Sequence, residues 1–367
     1  MKIGIDISQI AYKGSGIASY TQNLVKSLLK IDKKNQYIFF ASALRRRYEI
    51  EKFIKLFDVN GNYQFKLYPF PPKMMSYLWN KMHILPMEKF VGNTDVFHTS
   101  DWTEPPARAL KVTTIHDLLI FSQPQYVNPS IVENQKAKLK WVTKETAIII
   151  TDSQSSKNDI IKYLKYPADR IKVVYLGIDK IFYPQSDDAI QKVKNKYKLN
   201  FDYLLFLGVN DKRKNWDLLI QAFSQVKTAG LKLVGISSFL STYKFTDEKI
   251  KILQYVDLQD MPALYTGAKA FIYPSLYEGF GLPVLEAMAS GVPVITSNRG
   301  SLKEIIGENG FVIDPYSTID LVSTINQVIG LSSEERNNII YKGIQHTKKF
   351  TWEKTASETL KIYESLI

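Results

Sequence analysis

Residues 270–288 read AFIYPSLYEGFGLPVLEAM. Ala270, Phe271 and Ile272 form a short apolar strand, Pro274 stops it, Gly279 and Gly281 turn the chain, and Leu282, Val284, Leu285 and Met288 resume with a helical period. A near-continuous apolar strand that turns straight into a helix is the repeating unit of a parallel sheet covered on both faces. Two acids frame the unit. Glu278 sits in the turn, and Glu286, eight positions on, sits inside an otherwise apolar helix. Neither the turn nor the buried helix needs an acid, so the question is what the two carboxylates hold.

The same unit recurs along the chain. In the first half the apolar runs are KIGIDIS (2–8), QYIFFAS (36–42), YQFKLYPF (63–70), DVFHTS (95–100), KVTTIHDL (111–118), AIIITDS (147–153) and IKVVYLGI (171–178). Helix-like stretches separate many of them, such as IASYTQNLVKSLLK (17–30), whose Leu24, Leu28 and Leu29 lie near one face. The pattern restarts with YLLFLGV (203–209), then LKLVGIS (231–237), KIKILQYV (249–256), AKAFIYPS (268–275), GVPVITS (291–297) and NGFVIDP (309–315). The expected fold class is α/β, with two Rossmann-like doubly wound domains facing a cleft and the ligand at the carboxyl ends of the strands. Residues 1–182 form one domain and 183–350 the other, and DKIFYPQSDDAIQ (179–191) reads as the linker. Residues 351–367 read as a helix capped by Thr351 that packs back on the first domain.

Composition narrows the function classes. A chain of 367 residues exceeds one ordinary core, and two domains of roughly 170–190 residues suit it. Cysteine is absent, which excludes disulfides and thiolate zinc sites and fits a reducing compartment. MKIGIDISQI has no apolar stretch behind a basic start and reads as a strand, not a signal peptide, and there is no uninterrupted apolar run of about 18 residues to span a bilayer. Of the 48 Lys and Arg and 36 Asp and Glu, 27 and 16 lie at or before Lys180, so the first half carries nearly all of the +12 net charge. That excess is either a set of solvated faces or a surface meeting phospholipid headgroups or a phosphate-bearing substrate.

Several short motifs carry candidate chemistry. GSGIAS (14–19) follows the first strand and opens a helix, so amides from Gly14 to Ile17, with Gly16 among them, can approach an anion; Ser19 in place of a third glycine makes it a poor dinucleotide fingerprint. His116 and Asp117 end the strand KVTTIHDL, and His98 ends DVFHTS, where strand-end polar groups line a site. His83 and His346 read as structural, and no histidine pair has metal-ligand spacing, so no metal is expected. FLGVNDKRKN (206–215) places Lys212, Arg213 and Lys214 at a strand-to-helix junction that favours a phosphate. Glycine amides between Glu278 and Glu286 would suit a ligand with hydroxyls at both ends.

Taken in order, GSGIASYTQNL, TIHDL, GVNDKRKN and EGFGLPVLE with its two spaced acids resemble the group 1, glycogen-synthase-like, family four retaining glycosyltransferases of the GT-B fold. TDSQSSKNDI, VVYLGID, GVPVITSNRGSLKEIIGENGFVIDP and TWEKTASETL extend the resemblance over nearly the whole chain. It implies an acceptor-binding first domain, a nucleotide-sugar-binding second domain, and hexose transfer with retention and without a metal or other cofactor. On matching positions it implies that Gly16 faces the donor diphosphate and acceptor, His116 lies beside the reacting sugar, and Asp117 supports that loop. Arg213 and Lys214 would neutralise the leaving diphosphate, and Glu278 would face the hexose. Gly279, Phe280, Gly281 and Leu282 would line the donor, with Glu286 on the ribose. Val209 stands where many relatives carry Arg, so the diphosphate rests more on Arg213 and Lys214, and Leu176 stands where many carry Asn, which removes a polar contact near the hinge.

The implied partners are a nucleotide-sugar donor, GDP-mannose or a UDP-sugar, and a saccharide or lipid-linked acceptor in surface polysaccharide, lipopolysaccharide or glycolipid assembly. No nucleic acid is expected, since no recognition motif accompanies the basic half. The stretch FPPKMMSYLWNKMHILPMEKFVG (70–92) mixes methionine, aromatic and lysine side chains. It reads either as a core helix interrupted by Pro86 or as a peripheral contact with an anionic membrane, which would put a cytoplasmic protein at the inner face. A sugar-nucleotide epimerase or sugar phosphorylase on a related architecture is the alternative activity.

Overall fold

The structure, a computed structural model, describes residues 1–58, 61–226, 230–237 and 247–367. The chain forms two compact units, Met1–Gly177 together with Trp352–Ile367, and Ile178–Thr351. Each is a parallel sheet with interleaved helices, the two Rossmann-like domains expected from the recurring strand–helix pattern.

In the first unit the strands are β1 (Lys2–Asp6), β2 (Gln36–Ser42), β3 (Tyr63–Tyr68), β4 (Val96–Thr99), β5 (Leu110–Ile115), β6 (Thr146–Thr151) and β7 (Ile171–Val173). They pair in the order β3-β2-β1-β4-β5-β6-β7. The winding reverses between β1 and β4, and at such a point the crossovers leave to opposite faces and open a crevice at the strands' carboxyl ends. Ile3, Ile5, Phe39, Phe40, Phe97 and Val112 are buried, because central strands covered on both faces have no polar side. Helix Gly16–Ile31 starts where the Ser15 side chain accepts from Ala18 N at 3.2 Å, and it buries Leu24, Leu28 and Leu29. Helix Trp352–Glu364 packs on it, bringing Tyr363 into the same core.

The second unit repeats the plan with β8 (Tyr203–Leu207), β9 (Lys232–Ile236), β10 (Ile250–Leu253), β11 (Ala270–Tyr273), β12 (Val294–Ser297) and β13 (Phe311–Ile313). Among the described residues their order is β10-β9-β8-β11-β12-β13, which places the reversal between β8 and β11. Leu204, Phe206, Ile272 and Ile295 from the sheet pack against Trp216, Leu219 and Phe223 of helix Trp216–Phe223.

Two expectations change. The polar cluster inside 179–191 is not a linker throughout: Ser186 caps helix Asp187–Lys196, accepting from Ala189 N, and Asp187 and Asp188 occupy its first turn. Serine followed by two aspartates is a helix-start signature, and acids there complement the helix dipole. The stretch 70–92 is helical and interrupted around Pro86, as the first of its two readings has it, but only one side of it is core. Helix Pro72–Ser76 runs into a π-helical turn, Tyr77–Lys81, and helix Glu88–Val91 follows Pro86. Met75, Trp79 and Met87 face the core, while Met74, Tyr77, Met82, Ile84 and Leu85 are exposed.

Candidate active site

In the second unit the loop after β8 turns at Gly208, whose φ of +98° suits glycine, and a Cβ there would lie 2.7 Å from Lys214 Cγ. The missing side chain lets the Lys214 stem cross the turn. Asp211 organises the loop, accepting from Arg213 N at 3.0 Å and from the Arg213 guanidinium at 2.6 and 3.1 Å. Asn215 then donates to Pro274 O and Pro315 O, tying the loop to the ends of β11 and β13.

Lys214 Nζ donates to both Glu278 Oε1 and Tyr273 Oη, and it lies 4.7 Å from the centre of the Tyr273 ring. Burial works against the ammonium, but Glu278 and then Tyr273 outweigh it and hold Lys214 above the ordinary lysine value. Burial also lifts the Tyr273 hydroxyl, so it stays protonated at neutral pH. The turn carrying Glu278 is fixed from two sides. Leu276 N donates to Arg213 O at 2.7 Å, while Ser301 N and Oγ both reach Glu278 O at 3.1 Å. Gly300, with φ +57°, fits against the Glu278 backbone.

Helix Leu282–Ala289 follows, with Gly281 as its N-cap at φ +101°. Its neighbours Phe280 and Gly281 are buried, Gly279 and Leu282 half-buried. Glu286 stands apart from the Lys214 cluster, its carboxylate 3.4 Å from Tyr265 Oη. Burial pushes it up to about 7; the Tyr265 hydrogen bond opposes this and Asp179 adds to it.

In the first unit a pocket of about 710 Å³ lies at the carboxyl ends of β1 and β5. His116 follows β5 and lines it, with Nδ1 2.6 Å from Asp152 Oδ2 and its ring edge-on to Tyr20 at 4.7 Å. Burial opposes a charged imidazole, but Asp152, with Asp101 and Asp117, prevails and raises His116 to about 9. His116 Nε2 is buried without a hydrogen-bond partner. The ring therefore has one donor fixed on Asp152 and one unspent. Asp117 lines the same pocket and accepts from Leu119 N of its own loop at 2.9 Å. Gly16 opens helix Gly16–Ile31 with free space where a Cβ would lie, so packing does not require glycine there.

His98 does not join this group. It lies within β4, in register with Ile5 and Val112, where a side chain faces the packed surface of the sheet. Its ring is buried, Nδ1 2.5 Å from Tyr363 Oη and Nε2 2.8 Å from Thr114 Oγ1, and burial lowers it to about 3. Both nitrogens are occupied inside the core. Conversely, Asp152, Tyr265 and Tyr273 escaped notice in the sequence. Tyr273 ends β11 and Asp152 follows β6, so the strand-end rule applied to His116 finds both.

Two Rossmann-like domains, with a half-buried cation at one switch point and a pocket at the other, are the architecture of the GT-B glycosyltransferases. Anabaena HepE, solved in complex with UDP and glucose, superposes with a TM-score of 0.74 over 100% of both chains at 17% identity. Sucrose-phosphate synthase from Thermosynechococcus elongatus superposes with a TM-score of 0.74 at 16% identity, covering 100% of this chain and 99% of that one. A model described as glycosyl transferases group 1 matches residues 187–346, and one described as glycosyltransferase family 4 matches residues 14–180. The Escherichia coli O-antigen chain mannosyltransferase B is 33% identical over 286 residues, 74% of each chain. The chain belongs to this group 1 glycosyltransferase family. Escherichia coli mannosyltransferase WbdA is 27% identical over 274 residues, 70% of this chain and 33% of that longer protein.

Proposed function

We propose that the protein is a retaining mannosyltransferase that moves mannose from GDP-mannose to a saccharide or lipid-linked acceptor in surface polysaccharide assembly. The observation that carries this reading is the Lys214 ammonium, held by Glu278 and Tyr273 at the β8–β11 switch point, in a chain whose relatives include O-antigen chain mannosyltransferase B. A nucleoside diphosphate leaves as an anion while the anomeric carbon becomes cationic, so a positioned cation lowers the barrier by stabilising the departing charge. Lys214 and Arg213 take that role without a metal. The bond from the anomeric carbon to phosphate oxygen breaks, the acceptor oxygen bonds to the same face, and its proton passes to the departing phosphate. Glu278 accepts from hexose hydroxyls once the donor engages Lys214, Glu286 accepts from ribose hydroxyls, and His116 presents Nε2–H to a sugar oxygen. Glu278 is a poor candidate for a covalent nucleophile because its place along the hexose hydroxyls keeps it off the anomeric carbon.

Incubation with a panel of nucleotide sugars, read by release of nucleoside diphosphate, tests the assignment. GDP release from GDP-mannose is expected; release only from UDP-sugars overturns the donor, and release from none overturns the transferase reading.

Among the described residues no helix is long and apolar enough to cross a membrane. The exposed Met74, Tyr77, Met82, Ile84 and Leu85, beside exposed Lys73 and Lys89, support peripheral contact with an anionic cytoplasmic leaflet. Flotation with anionic but not neutral liposomes is the expected result, and flotation with neither removes the contact.

A further inference from the structure

The pocket of the first unit contains a charged group that the transfer chemistry leaves unused. Lys138, on helix Pro129–Glu145, is 0% exposed, lines the pocket, and has an ammonium with no hydrogen-bond partner. A buried ammonium with three unspent donors is costly unless something accepts from it. The carboxylates that act on it electrostatically do not fill that need, because each has other partners. Asp6 accepts from Ser8 N at 2.9 Å and from Thr103 Oγ1 at 3.4 Å, Glu104 pairs with Lys111 at 3.1 Å, and Asp101 accepts from Gln135 at 3.3 Å.

The rest of the wall identifies the chemistry that fits. Burial holds Lys138 below the ordinary lysine value, and Asp101, Glu104 and Asp6, which act on it electrostatically, offset this only in part, so its amine still lacks an acceptor. Four acids face four basic groups around the whole pocket. An anion would be repelled by those acids, whereas a neutral hydroxyl can accept from Lys138 and donate to a neighbouring carboxylate. Tyr12 and Trp102, edge to face with centroids 4.2 Å apart, supply an aromatic surface for the C–H face of a pyranose, and Trp79 lines the pocket beside them.

Building on the assignment of the first unit to the acceptor, we infer that this pocket holds the terminal hexose of an uncharged saccharide. Lys138 is a specificity-determining residue there, donating to one hydroxyl while Asp6 and Asp101 accept from its neighbours. Charge at the terminal sugar is rejected by the acids around the ammonium.

Saturation-transfer NMR and calorimetry on the full chain, with methyl mannoside, a mannobiose and a mannose phosphate as probes, test this without any donor. Binding of the neutral probes and not of the phosphate is expected. Loss of a hydrogen bond to a charged donor weakens binding by about tenfold or more, so Lys138→Met should show that loss, with a thermal midpoint equal to or above the wild type. Lys138→Gln, which keeps a neutral donor, should recover part of the affinity. A purely structural ammonium predicts the opposite pattern, a lowered midpoint with saccharide binding unchanged, and that result overturns the proposal. So does tighter binding of the phosphate, or failure of both variants to fold. If the neutral probes do not bind while wild-type protein releases GDP from GDP-mannose, this inference fails and the transferase reading stands; if they bind but no nucleotide sugar reacts, the reverse holds.

Discussion

Removing the Lys214 ammonium affects both chemistry and folding, and the structure separates the two effects. The Lys214 and Glu278 side chains are 14% and 12% exposed, so deleting one partner strands the other in a largely water-free site. Breaking a buried pair in this way costs about 3–5 kcal/mol, and the residual solvent access here argues for the lower end, ~3 kcal/mol. In a domain of this size each kcal/mol moves the midpoint by about 2–4 °C, so Lys214→Met should lower the unfolding transition of the second unit by about 6–12 °C. Adding Glu278→Gln removes the stranded charge, and scanning calorimetry should return most of that loss, a coupling of about 1–3 kcal/mol. Transfer is lost in both variants, by about a hundredfold or more, because the departing diphosphate has lost its cation. A single variant within about 1 °C of wild type, with a double variant no more stable than it, would refute the energetics. Near-normal turnover of either would refute the diphosphate role.

Three further outcomes follow from the same geometry. His116 is raised to about 9, so its contribution to stability is complete below the ordinary imidazole value and is lost as pH rises through about 9; Asp152→Asn should lower the ring titration followed by NMR, and a titration still near 9 would dispose of the pairing. Glu286, pushed up to about 7 in the fold, penalises the folded state increasingly as pH rises from the usual carboxyl range through about 7, while donor affinity should strengthen over the same window. Glu286→Gln should flatten both trends and weaken donor binding by calorimetry; unchanged affinity counts against the ribose role. Gly300→Ala places a Cβ 2.8 Å from Glu278 N in a left-handed conformation, so it should destabilise by about 1 kcal/mol or more and raise the donor KM, whereas wild-type kinetics would mean the turn tolerates displacement.

Both sheets are legible in the sequence because strands buried on two faces are written as unbroken apolar runs, and the helices between them carry a visible period. The site is legible where chemistry interrupts that grammar: Glu278 and Glu286 in an apolar unit, and three cations at the end of FLGVND. It is illegible where a functional group looks like packing. Tyr273 reads as one more aromatic in a strand, and only the structure puts its hydroxyl against Lys214. Lys138 lies in KAKLKW, where alternate lysines suggest a solvated helix face, yet tertiary contacts bury it completely. His98 and His116 differ in depth along neighbouring strands, since His98 pairs with Val112, four residues before His116. One is the third residue of β4 and is packed under helix Trp352–Glu364 through Tyr363; the other lies just past the end of β5 and reaches the pocket. Position relative to the strand end decides between core and site, and strand ends are the part of a fold that sequence patterning fixes least.

The return of helix Trp352–Glu364 to the first unit has a consequence for synthesis. His98 gains its Tyr363 partner, and helix Gly16–Ile31 its neighbour, only after the whole of Ile178–Thr351 has been translated. A domain usually folds as it leaves the ribosome, N-terminal first. Here the first unit must wait with an open core face for a segment made after the second unit, while the second unit is continuous in sequence. Premature termination anywhere in the second half would therefore leave the first half sticky, whatever its own sequence permits.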